Sequence, residues 1–338
     1  MCIQQKPLCI IGTLPDTAGI GGVTRHVERL LQALDNRGVS YRFVDYKKES
    51  IRYILRIITC SKVIHLHCSN KKFQFLCIFW AFLCHKKSIF TIHSDFKNNK
   101  FINKLFLRLS VFFASCPIAI NQSSYEICKK INSKTVLVSV FLPPIFQDKL
   151  DIQTETLLRR LDKNKIWVST NAFNISYDNN GNEVYGIEFL IEFFTKNSQR
   201  YVFLISDPSG NYQKRYPGTY ENIYFVNYPH SYFELLKHMD VFVRNTSTDG
   251  DSISVREALY LGLKALCTDV VDRPNGVILF KYNDEQSLKR ALGNVKKEGR
   301  ERGAEENVAC DTVTQIVAIY SSFLKENESK VTERKTSI

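Results

Sequence analysis

The most constraining feature of this 338-residue chain is an alternation of short apolar runs with helical patterns, which occurs twice. The apolar runs of the first half span 8–12, 39–46, 62–68, 88–94, 116–121 and 135–141. Those of the second half span 165–170, 201–206, 222–227, 240–245, 264–269 and 276–280. Such repetition predicts parallel sheets with helices on both faces. We therefore predict an α/β fold of two Rossmann-like, doubly wound domains that face a central cleft.

The boundary between the two domains is expected after Pro143-Pro144, where a polar stretch begins and runs to Lys165. We predict an N-terminal domain over 1–150 and a C-terminal domain over 151–325, whose last helix packs back on the first domain. Residues 326–338 form a charged tail. A chain of this length suits two cores of ordinary size.

Positive charge is concentrated in the first half of the chain. The net charge is +12, and residues 1–150 carry 22 Lys/Arg against 8 Asp/Glu. This asymmetry indicates an anionic partner, either nucleic acid or the inner face of a membrane. Because no RNA-binding module is recognisable, nucleic acid is the less favoured partner.

Two basic segments are candidates for the membrane contact. Arg52–Arg56 and KNNKFINKLFLRLSVFF at 97–113 mix basic and apolar residues at helical spacing. This pattern suits a helix that lies on an anionic bilayer, or equally a solvated basic helix with an apolar face in the core. The longest apolar stretch, Phe73–Cys84, is too short to span a bilayer, and the N-terminus lacks a secretory pattern. We expect a cytoplasmic protein, with peripheral contact at the plasma membrane.

The segment from Asp240 to Val270 carries the strongest chemical pattern. A strand leads into a loop with Asp249 and Asp251, and a helix that begins near Ser252 carries Glu257. This spacing places two carboxylates around the free backbone N–H groups of residues 250–254. The amides suit a diphosphate, and the carboxylates suit sugar and ribose hydroxyls. A sugar nucleotide needs this combination of groups. We predict that it is bound by Gly250, Ser252, Ile253, Ser254 and Glu257.

A glycine loop at Gly19–Gly22 opens an amphipathic helix that ends near Leu34, and its amides can approach a phosphate. A dinucleotide-binding fingerprint fits poorly because the glycines do not follow the strand directly. His93 ends another strand at the carboxyl edge of the first sheet. His65 and His67 share one strand face, but no third ligand is apparent, so a metal pair is not favoured.

Together these elements resemble glycosyltransferase family 4. The resemblance rests on the acidic residue, seven residues and glutamate at Asp249 and Glu257, on GGVTRHV at 21–27, and on TIH at 91–93. It implies the GT-B fold, a nucleotide-sugar donor and retention of anomeric configuration. By resemblance Asp249 contacts the sugar, Glu257 the ribose, Gly21 and Gly22 the phosphates, and His93 the reacting sugar.

One part of the family pattern is missing. The family usually carries an Arg and a Lys that clamp the diphosphate, and here Phe173 and Tyr185 stand near those positions. The leaving phosphate still requires stabilisation by positive charge. Arg244 and Arg256 flank the donor loop, and we expect them to replace the clamp.

Asp249-Gly250-Asp251 also imitates the DxD metal motif of the other large glycosyltransferase fold. That motif would not follow a complete doubly wound domain, so we expect no metal and no cofactor beyond a UDP- or GDP-sugar as co-substrate. The predicted function is a metal-independent hexosyltransferase that glycosylates a lipid-linked or glycan acceptor in surface-polysaccharide biosynthesis. A non-catalytic nucleotide-sugar-binding subunit and a GT-B sugar-nucleotide epimerase are the alternatives.

Overall fold

The structure is a computed structural model, and it describes residues 7–15, 22–93, 96, 101–145, 149–172, 174–293, 295 and 312–325. The chain divides into two compact units. The first unit is Met1–Ile145 with Val308–Ile338, and the second is Phe146–Asn307.

The first unit contains a parallel sheet in the order β2-β1-β3-β4-β5-β6. Its strands are β1 (Leu8–Gly12), β2 (Arg42–Asp45), β3 (Val63–His67), β4 (Lys87–Ile92), β5 (Cys116–Ala119) and β6 (Val136–Leu137). Its helices are α1 (Gly22–Asn36), α2 (Ile51–Cys60), α3 (Lys71–Leu83), α4 (Phe101–Phe113) and α5 (Gln122–Ile131). Because β2 lies on one side of β1 and β3 on the other, the topological switch point falls between β1 and β3.

The second unit contains another parallel sheet in the order β12-β11-β10-β7-β8-β9. Its strands are β7 (Ile166–Asn171), β8 (Tyr201–Ser206), β9 (Ile223–Val226), β10 (Val241–Arg244), β11 (Lys264–Thr268) and β12 (Ile278–Phe280). Its helices are α6 (Ile152–Arg160), α7 (Ile187–Lys196), α8 (Asn211–Arg215), α9 (Tyr232–Leu236), α10 (Ile253–Tyr260) and α11 (Glu285–Gly293). The switch point lies between β7 and β10.

A last helix, α12, covers residues 312–325 and belongs to the first unit. Its buried residues Val313, Ile316 and Tyr320 pack in one hydrophobic cluster with residues of β1 and α1. Removal of the end of the chain would therefore open the core of the first unit.

Side chains alternate between the two faces of each sheet, as the pleat of a strand requires. In β1, Leu8 and Ile10 face α1 and α12, whereas Cys9 and Ile11 face α2 and α3. The second sheet divides likewise, with α7 and α11 over one face and α9 and α10 over the other. Helices therefore cover both faces of both sheets, and the predicted α/β class with two doubly wound parallel sheets is confirmed.

All twelve predicted strands occur, most of them shortened by one to three residues at an end. Three helices were not predicted. They are α5, α8 and α6, and α6 lies in the polar stretch expected to be a linker. These helices are short, and side-chain caps at Asn121 and Asp151 start α5 and α6. Among the described residues, no helix is both long and apolar enough to cross a membrane.

Candidate functional site: a charged loop in the second unit and a histidine cluster in the first

The candidate donor site of the second unit lies at the switch point of its sheet. The neighbouring strands β7 and β10 end at Asn171 and Arg244. Arg244 Nη1 lies 3.4 Å from both the backbone and the side-chain oxygen of Asn171, so the two strand ends are joined by its guanidinium. Doubly wound sheets bind their ligands at this edge.

Asp249 lies between two buried arginines. Arg244 binds it bidentately, with Nε and Nη2 each 3.1 Å from one carboxylate oxygen. Arg273 donates from Nη1 to Oδ2 over 2.7 Å. The three side chains are only 8% (Asp249), 10% (Arg244) and 3% (Arg273) exposed. We call this group the arginine–aspartate triad, and with all three groups ionised its net charge is positive.

The triad keeps Asp249 ionised. Burial opposes ionisation of the carboxyl group, but the charges and hydrogen bonds of Arg244 and Arg273 outweigh it and lower its pKa to about 2. Arg273 is itself fixed by the end of β11, because its Nε donates to the Thr268 carbonyl over 3.0 Å. The positive charge at this edge is therefore held in place before any ligand binds.

The triad adds a residue that sequence reasoning missed. Arg273 follows β11 and lies 24 residues beyond Asp249 in the chain. The only sequence signal was its position just beyond the carboxyl end of a strand. Arg244 also lies over the ring of Tyr185, 5.1 Å from the centroid. Tyr185 thus contacts a cation near the position where the family carries one, while Phe173 lies outside the described residues.

The loop before α10 carries the other predicted donor residues. Gly250 donates its backbone N–H to Asp249 Oδ1 over 3.0 Å. Ser252 is the N-cap of α10, but its side chain makes no capping bond and lies 3.1 Å from the hydroxyl of Ser254. The half-buried Ile253 is the first residue of the helix. The first-turn amides of α10 are therefore not capped by Ser252, as an anion site at a helix start requires.

Arg256 and Asp251 form a second ion pair beside this loop. Arg256 Nε lies 2.8 Å from Oδ1 and 3.0 Å from Oδ2 of Asp251. The Asp251 side chain is 5% exposed and that of Arg256 is 17% exposed. Both arginines that the sequence suggested as clamp residues are therefore paired with carboxylates of the same loop.

Glu257 is buried on α10, with 5% of its surface exposed. Its charge acts on the phenol of Tyr232, whose pKa is raised by burial and by this carboxylate. The Tyr232 hydroxyl lies 2.9 Å from Ser169 Oγ on β7. Tyr232 and Ser169 thus form a small polar group at β7, on which the charge of Glu257 acts.

The site residues predicted in the first unit lie at the start of α1 and just after β4. Gly22 is the exposed first residue of α1, and Gly21 lies outside the described residues. His93 follows β4 directly and is half-buried. Its Nε2 lies 3.1 Å from His67 Nδ1.

His93 belongs to a cluster that sequence spacing did not reveal. His26 of α1 packs against both His67 and His93, with ring centroids 5.2 Å apart in each case. One ring nitrogen from each of the three residues lies within 4.8 Å of the others, which makes them a candidate metal-ligand set. A metal pair of His65 and His67 was not favoured for want of a third ligand, and the set that the structure brings together includes His67 but not His65, although the His65 and His67 rings lie 4.1 Å apart. His65 instead bonds Tyr320 and Thr91 at 2.6 and 2.9 Å.

All four histidines are neutral at pH 7. Burial lowers the pKa of His26 to about 4 and that of His65 to about 3, and it holds those of His67 and His93 well below the ordinary value. Their mutual repulsion when protonated adds to the effect. Neutral imidazoles carry a free lone pair, which can accept a hydrogen bond or bind a metal.

The fold resembles several solved structures. HepE from Anabaena, in complex with UDP-glucose, has a TM-score of 0.63 and 11% identity over 98% of this chain and 100% of that chain. Sucrose-phosphate synthase from Thermosynechococcus elongatus has a TM-score of 0.63 and 14% identity, covering 94% and 100%. The catalytic domain of starch synthase IV from Arabidopsis thaliana, bound to ADP and acarbose, has a TM-score of 0.60 and 13% identity, covering 94% and 99%.

At these identities the likeness is one of fold, and it shows that the chain has the GT-B fold. The sequence matches no family model and no curated protein.

Proposed function

We propose that this chain is a glycosyltransferase that moves a hexosyl group from a nucleotide sugar to an acceptor hydroxyl. The observation that carries the proposal is the arginine–aspartate triad at the switch point of the second sheet, beside the start of α10, which the Ser252 side chain does not cap. The GT-B structures that resemble this chain include complexes with UDP-glucose and with ADP, which supports a nucleotide-linked donor.

The donor diphosphate would bind at the triad. Arg244 and Arg273 supply positive charge, and the first-turn amides of α10 supply neutral donors, whereas the Gly250 N–H is held by Asp249. The carboxylates of Asp249 and Asp251 already bind arginines, so they are poor ligands for a divalent cation. We therefore propose that departure of the phosphate is stabilised by arginine and not by a metal.

Glu257 would bind the ribose hydroxyls, as the resemblance to family 4 implies. It is buried on α10, where a carboxylate can accept hydrogen bonds without competition from bulk water. The sugar contact inferred for Asp249 requires one arginine to turn from the carboxylate to the diphosphate, because both Asp249 oxygens are engaged. Exchange of partners between arginine and phosphate preserves the charge balance of the site.

The proposed reaction forms one bond and breaks one bond at the anomeric carbon. The acceptor hydroxyl oxygen bonds to this carbon while the carbon–oxygen bond to the diphosphate breaks. The departing phosphate oxygen takes the hydroxyl proton. Retention of configuration follows from attack on the face that the phosphate leaves, and it is inferred from the family resemblance.

The acceptor is proposed to be a lipid-linked glycan at the cytosolic face of the plasma membrane, as in surface-polysaccharide assembly. Phe101, Leu105 and Phe112 of α4 are 84%, 50% and 63% exposed, and they follow one another at helical spacing with Arg108 between them. Neither α4 nor the neighbouring α3 contains an acidic residue. An exposed apolar stripe with basic residues suits the surface of an anionic bilayer.

A non-catalytic nucleotide-sugar-binding subunit is the second candidate. It is favoured by the pairing of Arg244 and Arg256 with carboxylates, which leaves the diphosphate clamp of the family without a direct equivalent. Such a subunit would bind the donor in the same place but would not cleave it.

Turnover of the donor separates the two candidates. The purified chain is incubated with UDP-, GDP- and ADP-sugars, with and without extracted membrane lipids, and release of the nucleoside diphosphate is measured. A transferase releases the diphosphate faster when lipid acceptor is present, and Arg273→Met abolishes the increase. Donor binding without release under every condition would identify the non-catalytic subunit.

A further inference from the structure

His26 and His67 of the histidine cluster have no part in the proposed donor chemistry, and His93 has only the contact with the reacting sugar that the family resemblance implies. His67 ends β3, His93 follows β4, and His26 projects from α1 over the same face of the sheet. We propose that His26, His67 and His93 form a binding site for one divalent transition-metal ion, zinc being the best match to three imidazoles. The proposal does not depend on the proposed function.

Two buried nitrogens in the cluster lack hydrogen-bond partners. Nε2 of His26 and Nε2 of His67 have no partner among the described residues, although the two side chains are 2% and 0% exposed. Buried polar atoms in folded proteins are nearly always paired. The unpaired Nε2 of His26 therefore indicates that the cluster binds a ligand, which His67 would contact through Nδ1 while its Nε2 keeps a proton.

The tautomer of His26 is the one that a metal ligand needs. Its Nδ1 lies 2.8 Å from the carbonyl oxygen of Val140, so Nδ1 carries the proton and donates it. Nε2 must then present its lone pair toward the cluster. Metal-binding histidines are commonly fixed in this way, with the other ring nitrogen donating to a carbonyl or carboxylate.

The distances allow coordination after small side-chain rotations. Zinc–nitrogen bonds of about 2.0–2.1 Å place the ligands of a tetrahedral ion roughly 3.3 Å apart. His67 Nδ1 and His93 Nε2 are already 3.1 Å apart, with one proton between them. The three ligand nitrogens lie within 4.8 Å of one another, so the two that are farthest apart would have to approach by about 1.5 Å. A metal ion would replace the shared proton, which passes to solvent.

The charges around the cluster define the remaining ligand. The three candidate ligands are imidazoles, which bind a metal ion as neutral groups. The candidate set among the described residues contains no carboxylate. Three neutral ligands leave the ion with its full charge and an open fourth position. An anionic oxygen, such as hydroxide or a phosphate, is the ligand expected there.

Cobalt is the probe for this site. The protein, with any affinity tag removed, is stripped with EDTA, exchanged into metal-free buffer and titrated with Co²⁺, while its visible absorption is followed. We expect one Co²⁺ per chain with the intense bands of a four- or five-coordinate site, displaced by Zn²⁺. His93→Gln should weaken binding by at least the roughly 100-fold that loss of an outer-shell partner can cause.

His85→Asn is the matched control. His85 is exposed and has a left-handed backbone at φ 54, which Asn tolerates, so this variant should bind Co²⁺ as the parent does. His26→Gln tests the buried ligand, and its folding is checked by thermal melting. If it does not fold, the half-buried His93 decides the question. Absence of stoichiometric binding by the parent, or equal binding by His93→Gln and His85→Asn, would overturn the proposal.

Discussion

Arg273 reaches Asp249 from the loop after β11, and its Nη1 donates to the carboxylate over 2.7 Å. Arg244 holds the same carboxylate from the end of β10. The carboxyl ends of two neighbouring strands, β10 and β11, thus each provide one arginine to Asp249, which lies in the loop between β10 and α10. The excess positive charge lies where the fold binds ligands.

Loss of Arg273 should destabilise the second unit. Its side chain is 3% exposed, so Arg273→Met leaves a buried carboxylate with one arginine in place of two. We expect the free energy of unfolding in urea to fall by about 2–3 kcal/mol, less than the roughly 3–5 kcal/mol of a fully broken buried pair because Arg244 remains.

The exposed pair Lys281–Asp269 provides the control for that substitution. The Lys281 side chain is 70% exposed, and Lys281→Met should cost at most about 1 kcal/mol, as surface ion pairs do. Equal losses in the two variants would show that the Arg273 pair contributes no more than a surface pair.

The triad should also make the second unit sensitive to acid. The pKa of Asp249 is lowered from its ordinary 3.8 to about 2, so the folded state binds this proton less readily than the unfolded chain. The resulting stabilisation is present above pH 4 and is lost as the pH falls toward 2. It amounts to about 2 kcal/mol. Urea unfolding from pH 5 to pH 2 should show this loss in the parent and not in Asp249→Asn, and parallel curves would refute it.

A glycine next to the candidate site has a strict steric role. Gly186 precedes α7 at φ 53, and a Cβ there would lie 2.2 Å from Asn245 Nδ2 and 2.7 Å from Asn283 Oδ1. Gly186→Ala should therefore lower the free energy of unfolding by roughly 2–4 kcal/mol through backbone strain and this clash.

Gly181 separates the two causes. It has φ 82, but nothing lies within 4 Å of a Cβ at that position. Gly181→Ala therefore reports the backbone cost alone, about 1–2 kcal/mol. If Gly186→Ala were no more destabilising in urea than Gly181→Ala, the contact with Asn245 would have no energetic role.

The exposed stripe on α4 should determine binding to anionic vesicles. Replacement of Phe101, Leu105 and Phe112 together by Ser removes the apolar contact, and Arg108→Gln removes one charge, worth about 1 kcal/mol or roughly fivefold in affinity. Cosedimentation with vesicles of phosphatidylserine and phosphatidylcholine measures both effects. Ile152→Ser, at an equally exposed apolar residue of α6, is the control. Equal binding by the control and the triple variant would exclude this surface.

Sequence reasoning was strongest where buried strands impose a local pattern. The β-branched runs and their order were sufficient for two parallel sheets, and the acidic loop was correctly placed before α10. Helices α5, α6 and α8 were missed because each buries only one or two residues, which leaves no clear apolar pattern. Their position is fixed by caps and by contacts that are distant in sequence.

The candidate site depended on contacts that sequence spacing does not encode. Arg273 meets Asp249 because β10 and β11 are neighbours in the sheet, and His26 meets His67 and His93 because α1 packs over β3. The third ligand that sequence spacing did not reveal comes from these same long-range contacts. His65 is instead hydrogen-bonded to the hydroxyl of Tyr320, a residue of α12.

Calorimetric titration with UDP-, GDP- and ADP-sugars in the presence of EDTA tests whether Glu257 and the triad bind a nucleotide sugar. One donor should bind, and Glu257→Gln should weaken it by about 10- to 100-fold, the value of a charge-assisted hydrogen bond. Glu192→Gln, at an exposed glutamate of α7, should bind as the parent does. Failure of every nucleotide sugar to bind the parent, or equal affinities in the two glutamate variants, would contradict the account.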